Sequence, residues 1–362
     1  IKPQFYLKGE EYKDQTGAFL AEKSSVEKYG GSVIFTSMLD SSTRLAQYLN
    51  KDYPQDFLEW FNGEEVQRDL SRSDEWLKMA LAQEFTLMGE SITDEYIWVE
   101  PMGRSAKEAI IAWKELGRER YDGGIYALAS HMEASGTLRS TQHAGLVGIT
   151  KTRFVEQPFM HKVFESTTWK EEYYPAINAK QYEGINIIAA DFGHGAFDST
   201  QANLISFKPN FLGLTVQTNA MNQGFNSLHK WPSADYVVVD EQELRLAWRE
   251  PNKPIPVLME QELIRMSANV IAVTQGHKGV TLMSVEDFQP QTIPAISNHA
   301  IDRMGAGDAF LAWSAPLASI GASLAVIGLI GNIAGAIQVS IVGNSRPITK
   351  EEIQKWLRNL IT

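Results

Sequence analysis

Asp302-Arg303-Met304-Gly305-Ala306-Gly307-Asp308 runs directly into Ala309-Phe310-Leu311-Ala312-Trp313, and this stretch decides the fold. Small residues ahead of a helix leave backbone N–H groups free to point at an anion, and the helix dipole adds to the attraction. A carboxylate closing such a loop, here Asp308, is placed to take the proton of a hydroxyl that attacks a phosphoryl group. The same residues also fit a plain helix start with an acidic first turn. From Ala309 to Asn344 no side chain is charged, a run long enough for a bilayer. Its Gly, Ala and Ser content, with breaks at Pro316, Gly321 and Gly331, favours two buried helices over a membrane span.

Upstream, short apolar runs each end on a polar residue or a glycine. Phe85 to Met88 stops at Gly89, Ile185 to Ala190 at Asp191, Tyr236 to Val239 at Asp240, and Val270 to Val273 at Thr274. A helical stretch follows each. Runs without alternation are buried on both faces, which predicts a parallel sheet covered by helices with its ligand site beyond the strands' carboxyl ends. Two of these ends carry further signals. Thr274-Gln275-Gly276-His277-Lys278-Gly279 makes a tight turn able to approach a nucleotide. Asp240-Glu241-Gln242-Glu243 places two carboxylates on one helical face, where they suit water around Mg²⁺ or simple helix capping.

Composition narrows the function classes. A formal charge of -11 over 362 residues argues against a nucleic-acid binder. A hydrophobic content of 44% with nine tryptophans suits a buried core. With no cysteine, disulfides and thiolate chemistry are excluded, and a cytoplasmic location is expected. Ile1-Lys2-Pro3-Gln4 does not read as a signal peptide, and an opening residue other than Met suggests a fragment or processed chain. Three zones separate by texture: α/β material over 1–50 with a strand at 32–36, a charged helical connector over 51–83, and the alternating pattern of 84–362.

Together the motifs of the third zone resemble the PfkB, or ribokinase-like, family of carbohydrate kinases. The family's Asp-Thr-x-Gly-Ala-Gly-Asp is matched at 302–308 with Arg303 in place of Thr. Its Asn-x-x-Glu is matched at 240–243 with Asp240 in place of Asn, and its Thr-x-Gly-x-x-Gly fully at 274–279. Its sugar motifs resemble Gly89-Glu90-Ser91-Ile92-Thr93-Asp94 and Gly123-Gly124, with Ala127 where an Asn is usual. The resemblance implies a three-layer α/β sandwich with a small β lid, about 95–122, that often makes a dimer contact. It also implies ATP-dependent phosphorylation of a sugar or sugar phosphate, Mg²⁺, a homodimer, and neither nucleic acid nor membrane as partner. Asp308 would be the base and Gly305, Ala306 and Gly307 the anion hole. Asp94, Gly123 and Gly124 would hold the sugar, Thr274, Gly276, Gly279 and Asn332 the nucleotide, and Asp240 and Glu243 the metal.

Further candidates carry two readings each. Lys107 and Arg104 would meet a phosphate on the substrate or be solvated lid charges. Asp191-Phe192-Gly193-His194-Gly195 lacks the companions of a protein-kinase DFG. It is similar to the Asp-Tyr-x-Lys-Gly of heptose kinases, which would put Asp191 on the sugar and His194 near a phosphate or leave His194 structural. Asn219 would approach the transferred phosphate or serve a turn.

Tyr6-Leu7-Lys8-Gly9-Glu10-Glu11-Tyr12, Gly30-Gly31 and Ser41-Ser42-Thr43-Arg44 resemble the C-terminal half of a cytidylyltransferase-type nucleotidyltransferase. The pairing resembles a bifunctional heptose kinase and nucleotidyltransferase in reversed order. The competing expectation is a catalytically weak kinase-like scaffold or sugar sensor, fed by Arg303, Asp240, Ala127 and His194.

Overall fold

Five-residue apolar strands that bury both faces need layers on either side, and the chain supplies them. The computed structural model describes residues 5–9, 18–28, 32–36, 53–157, 159–207, 209–297 and 300–361. Within them the chain divides into two compact units, Ile1–Tyr53 and Pro54–Thr362.

In the second unit, β3 (Phe85–Gly89), β6 (Leu138–His143), β9 (Asn186–Asp191), β10 (Phe211–Val216), β11 (Tyr236–Asp240), β12 (Val270–Thr274), β13 (Val280–Ser284) and β14 (Gln291–Ile293) form one sheet, ordered β14-β13-β12-β11-β10-β9-β3-β6. The strands from β6 to β12 run parallel, and β13 and β14 add an antiparallel edge. Alternate side chains divide between two faces. Ile187, Ala189, Leu212, Leu214, Val237, Val239, Ile271 and Val273 share a core with Leu244, Leu258, Met259 and Leu263. These last come from α7 (Glu241–Trp248) and α8 (Ile255–Met266). The opposite face meets α5 (Ile125–Ser135), α9 (Ala306–Ser319) and α10 (Leu324–Gln338). There Tyr236 donates to Ser314 Oγ at 2.9 Å. The result is the expected three-layer α/β sandwich.

The charge-free run therefore lies inside the molecule as α9 and α10, and no described helix is long and apolar enough to cross a membrane. The expected helical connector, 51–83, folds as three helices. Its α2 (Gln55–Phe61), α3 (Glu64–Leu70) and α4 (Ser73–Ala80) belong to the second unit, with α3 against α10 and α4 against α9. Phe57, Leu70, Leu77 and Ala80 are buried there. The apolar residues at 57, 61, 70, 77 and 80 were masked in the sequence by the charges between them.

A second sheet has the order β5-β4-β7-β8, from β4 (Ser91–Arg104), β5 (Ile111–Gly124), β7 (Ile149–Glu156) and β8 (His161–Thr168). The expected lid, 95–122, was half of it. Parallel pairing of β4 with β7, Asp94 opposite Lys151, brings in two strands from beyond α5 and β6.

In the first unit, β1 (Phe5–Gly9) lies parallel to β2 (Ser32–Thr36), with α1 (Ala18–Glu27) between them in the chain. Of the nucleotidyltransferase-like motifs, Glu10, Glu11, Tyr12, Gly30, Gly31 and residues 41–44 lie outside the described residues.

Candidate active site

Gly305 adopts a left-handed conformation with φ 76, and a Cβ there would overlap Asn344 Oδ1. Only glycine lets the loop fold this tightly, and α9 starts on the next residue. Asp308 follows in the first turn and is buried, its Oδ1 3.4 Å from Gln217 Nε2. Burial, with the nearby Asp94 charge, raises its pKa to about 7, while Lys151 pulls the other way. Arg303 is exposed, so its replacement of Thr falls outside this packing.

Asp94 stands on β4 with its carboxylate gripped by Arg153 of β7, which also binds Glu165 Oε2 at 2.7 Å. Its other oxygen lies over Gly123, where any Cβ would overlap it. Lys151, beside Asp94 in register, feels both Asp94 and Asp308. Burial lowers its pKa against the pull of those carboxylates. Sequence reading missed Lys151 and Arg153, because their pairing with Asp94 spans a long separation and leaves no local spacing.

Lys107 and Arg104 are exposed at the far end of the β4–β5 hairpin. Arg104 is ten residues beyond Asp94 on one strand, roughly 33 Å at the extended rise. Neither lies beside Asp94 on the sheet. Lys151 is the lysine that does.

The loop after β9 is organised by Glu90, which the Gly89–Asp94 motif carried without a role of its own. Glu90 is fully buried and accepts from the backbone N–H groups of Phe192 at 2.9 Å, His194 at 2.8 Å and Ala196 at 3.1 Å. Burial and the neighbouring Asp191 nevertheless raise its pKa to about 7. Asp191 itself is fully buried, bound by Trp231 Nε1 at 2.9 Å, Asn226 Nδ2 at 3.1 Å and Lys230 Nζ at 2.6 Å. These partners tie the carboxylate into the fold. Asn219 is tied down likewise. Its amide donates to Phe192 O at 2.6 Å, and its oxygen accepts from Met221 and Asn222, the turn alternative. His194 is buried, with Nδ1 3.2 Å from Met221 Sδ and Nε2 without a hydrogen-bond partner among the described residues. Burial, then Lys151, lowers its pKa to about 4, so its ring is neutral.

On the other flank, Asp240 and Thr274 lie side by side at the ends of β11 and β12. The turn from 275 to 279 is closed by Gln275 N to Gly279 O at 2.8 Å and Gly279 N to Gly276 O at 3.0 Å. Thr274, Gly276 and Gly279 thus share an edge with Asp240. Asp240 and Glu243 form a reciprocal capping box on α7, and Glu243 also accepts from Thr218 N at 3.1 Å. The capping reading is the one observed. Burial, Asp240 and Asp308 together push Glu243 up to about 8. Asn332 donates to the carbonyls of Ile293 and Pro294, each at 3.1 Å, and shapes the wall beside β14.

No group of three or more metal-ligating side chains occurs among the described residues. The carboxylates of Asp240 and Asp308, which both raise the pKa of Glu243, instead fit with Glu243 a hydrated Mg²⁺ carried on nucleotide phosphates.

A glycine-bounded loop, a buried carboxylate behind it and a second sheet bearing Asp94 sit together at the carboxyl ends of a parallel sheet. Residues 193–351 match the pfkB family of carbohydrate kinases. Similar solved structures cover more of the chain. The ribokinase of Thermotoga maritima is 17% identical with a TM-score of 0.55, over 76% of this chain and 100% of its own. Arabidopsis thaliana ribokinase, complexed with ribose and ATP, is 15% identical with a TM-score of 0.55, over 76% and 99%. Escherichia coli phosphofructokinase-2, in complex with substrates and products, is 12% identical with a TM-score of 0.57, over 78% and 100%. At these identities the likeness shows the fold, which is ribokinase-like. No curated protein matches the chain by sequence.

Proposed function

We propose that this chain is an ATP-dependent carbohydrate kinase in which Asp308 activates the acceptor hydroxyl. The observation that carries the reading is Asp308 itself: a carboxylate buried in the first turn behind Gly305, under the influence of Asp94 and Lys151, with its pKa raised to about 7. A base with a pKa near the working pH is the efficient one. In the reaction Asp308 takes the hydroxyl proton as the oxygen bonds to the γ-phosphorus, and the bond to the departing ADP breaks. The N–H groups around Gly305, Ala306 and Gly307 receive the charge of the transferring group, and Lys151 adds a positive charge beside it.

Asp94, oriented by Arg153 and given room by Gly123 and Gly124, grips acceptor hydroxyls. Thr274, Gly276 and Gly279 line the nucleotide side, with Asn332 holding the wall. Asp240 and Glu243 would hold Mg²⁺, and the ion would offset phosphate charge. A sugar phosphate, heptose-like, is the favoured acceptor, because Lys151 and the free Nε2 of His194 add a cation and an open hydrogen-bonding atom to the Asp94 side. A homodimer in the cytoplasm completes the proposal, with the exposed Phe164, Ile110 and Ile111 of the second sheet as the face a partner would cover.

Purified chain with Mg²⁺-ATP and a panel of heptose, hexose and pentose phosphates should release ADP with one acceptor, and D308N should abolish the release. Nucleotide binding without release across the panel would favour the scaffold reading.

A further inference from the structure

Asp302 opens the anion loop, and its side chain is 1% exposed. Its Oδ1 accepts from Lys162 Nζ at 2.7 Å and Met304 N at 3.2 Å, and its Oδ2 from Tyr96 Oη at 2.6 Å and Gly343 N at 2.9 Å. Met304 N and Gly343 N belong to the loop and the C-terminal segment beside it. Tyr96 and Lys162 come from β4 and β8 of the second sheet. Lys162 is the countercharge that Asp302 meets among the described residues, and its ammonium also stands 5.5 Å from the centre of the Tyr96 ring. An apolar seam follows the same line, with Tyr96, Trp98 and Val155 packed against Met304 and Val342.

We propose that Lys162 is a positioning residue that makes the shape of the anion loop depend on the seating of the second sheet. With the sheet seated, Asp302 is neutralised and fully hydrogen-bonded, and the turn through Gly305 to Asp308 is fixed. With the sheet lifted, Asp302 keeps neither cation nor tyrosine. A buried carboxylate without partners is costly enough that the loop rearranges. The loop that holds the transferring phosphoryl group is thus completed only when the acceptor side is covered, which excludes water as a competing acceptor. The purpose rests on the kinase reading; the mechanical coupling does not.

The test measures amide hydrogen exchange of residues 303–309 in the full chain for the parent, K162M and K162R, alongside steady-state kinetics. In K162M, exchange at 303–309 should rise about tenfold or more while β9 and β10 stay protected. The conservative K162R should stay near the parent. The kcat of K162M should fall about 10²-fold, as for a misplaced catalytic geometry, with the KM for ATP little changed. Unchanged exchange at 303–309 in K162M overturns the coupling, as does equal acceleration in K162R. A parent that releases no ADP but shows the exchange difference refutes the kinase reading and leaves the coupling standing.

Discussion

Asp308 must be ionised before it accepts a proton, and burial makes that ionisation costly. With its pKa near 7, kcat/KM should climb about tenfold per unit below that pH and level off above it. A flat profile from pH 5.5 to 8 would remove Asp308 as the base. D308N should lower kcat by about 10²–10⁴. The linkage has a definite sign. The folded pKa is raised, so this group favours the fold at low pH and loses that contribution as pH rises from the ordinary 3.8 through about 7. D308N should therefore melt above the parent at pH 8 and lose the advantage at pH 4. Removing the Lys151 charge has a separate signature. K151M should shift the rising limb of the profile to higher pH, because the cation that assists ionisation is gone; an unmoved limb would place Lys151 away from Asp308.

Elements were legible where their chemistry is contiguous in the chain. The 302–308 loop, the 274–279 turn and the strands that end beside them could be read directly, since glycine and a strand end sit within a few residues. The second sheet could not, because β7 and β8 join it by pairing across a long gap, and Lys151, Arg153 and Lys162 arrive with them. Asp191 shows a similar limit: nothing local in the sequence announces that Lys230 and Trp231 fold back onto this carboxylate at a strand end. At the start of α7, one spacing serves two purposes, and D240N separates them. Asparagine caps a helix about as well as aspartate, so D240N should keep its melting temperature. A raised Mg²⁺ requirement for turnover would then show that the lost charge had served the metal; an unchanged one would leave Asp240 as a cap alone.

At the scale of the molecule, α3 and α4 cover the apolar pair α9 and α10, and α2 packs on α3. F57A should cost about 3–5 kcal/mol, as for other fully buried phenylalanines, read as a fall in melting temperature with kcat little altered. A much smaller fall would mean that this cover is loosely applied. The cover also has a consequence in time. Residues 54–80 leave the ribosome before 306–338, so the charge-free helices α9 and α10 emerge onto a partner already made. Until then Leu70 and Leu77 wait without one, and a ribosome stalled before Ala306 would hold a chain with that greasy surface bare.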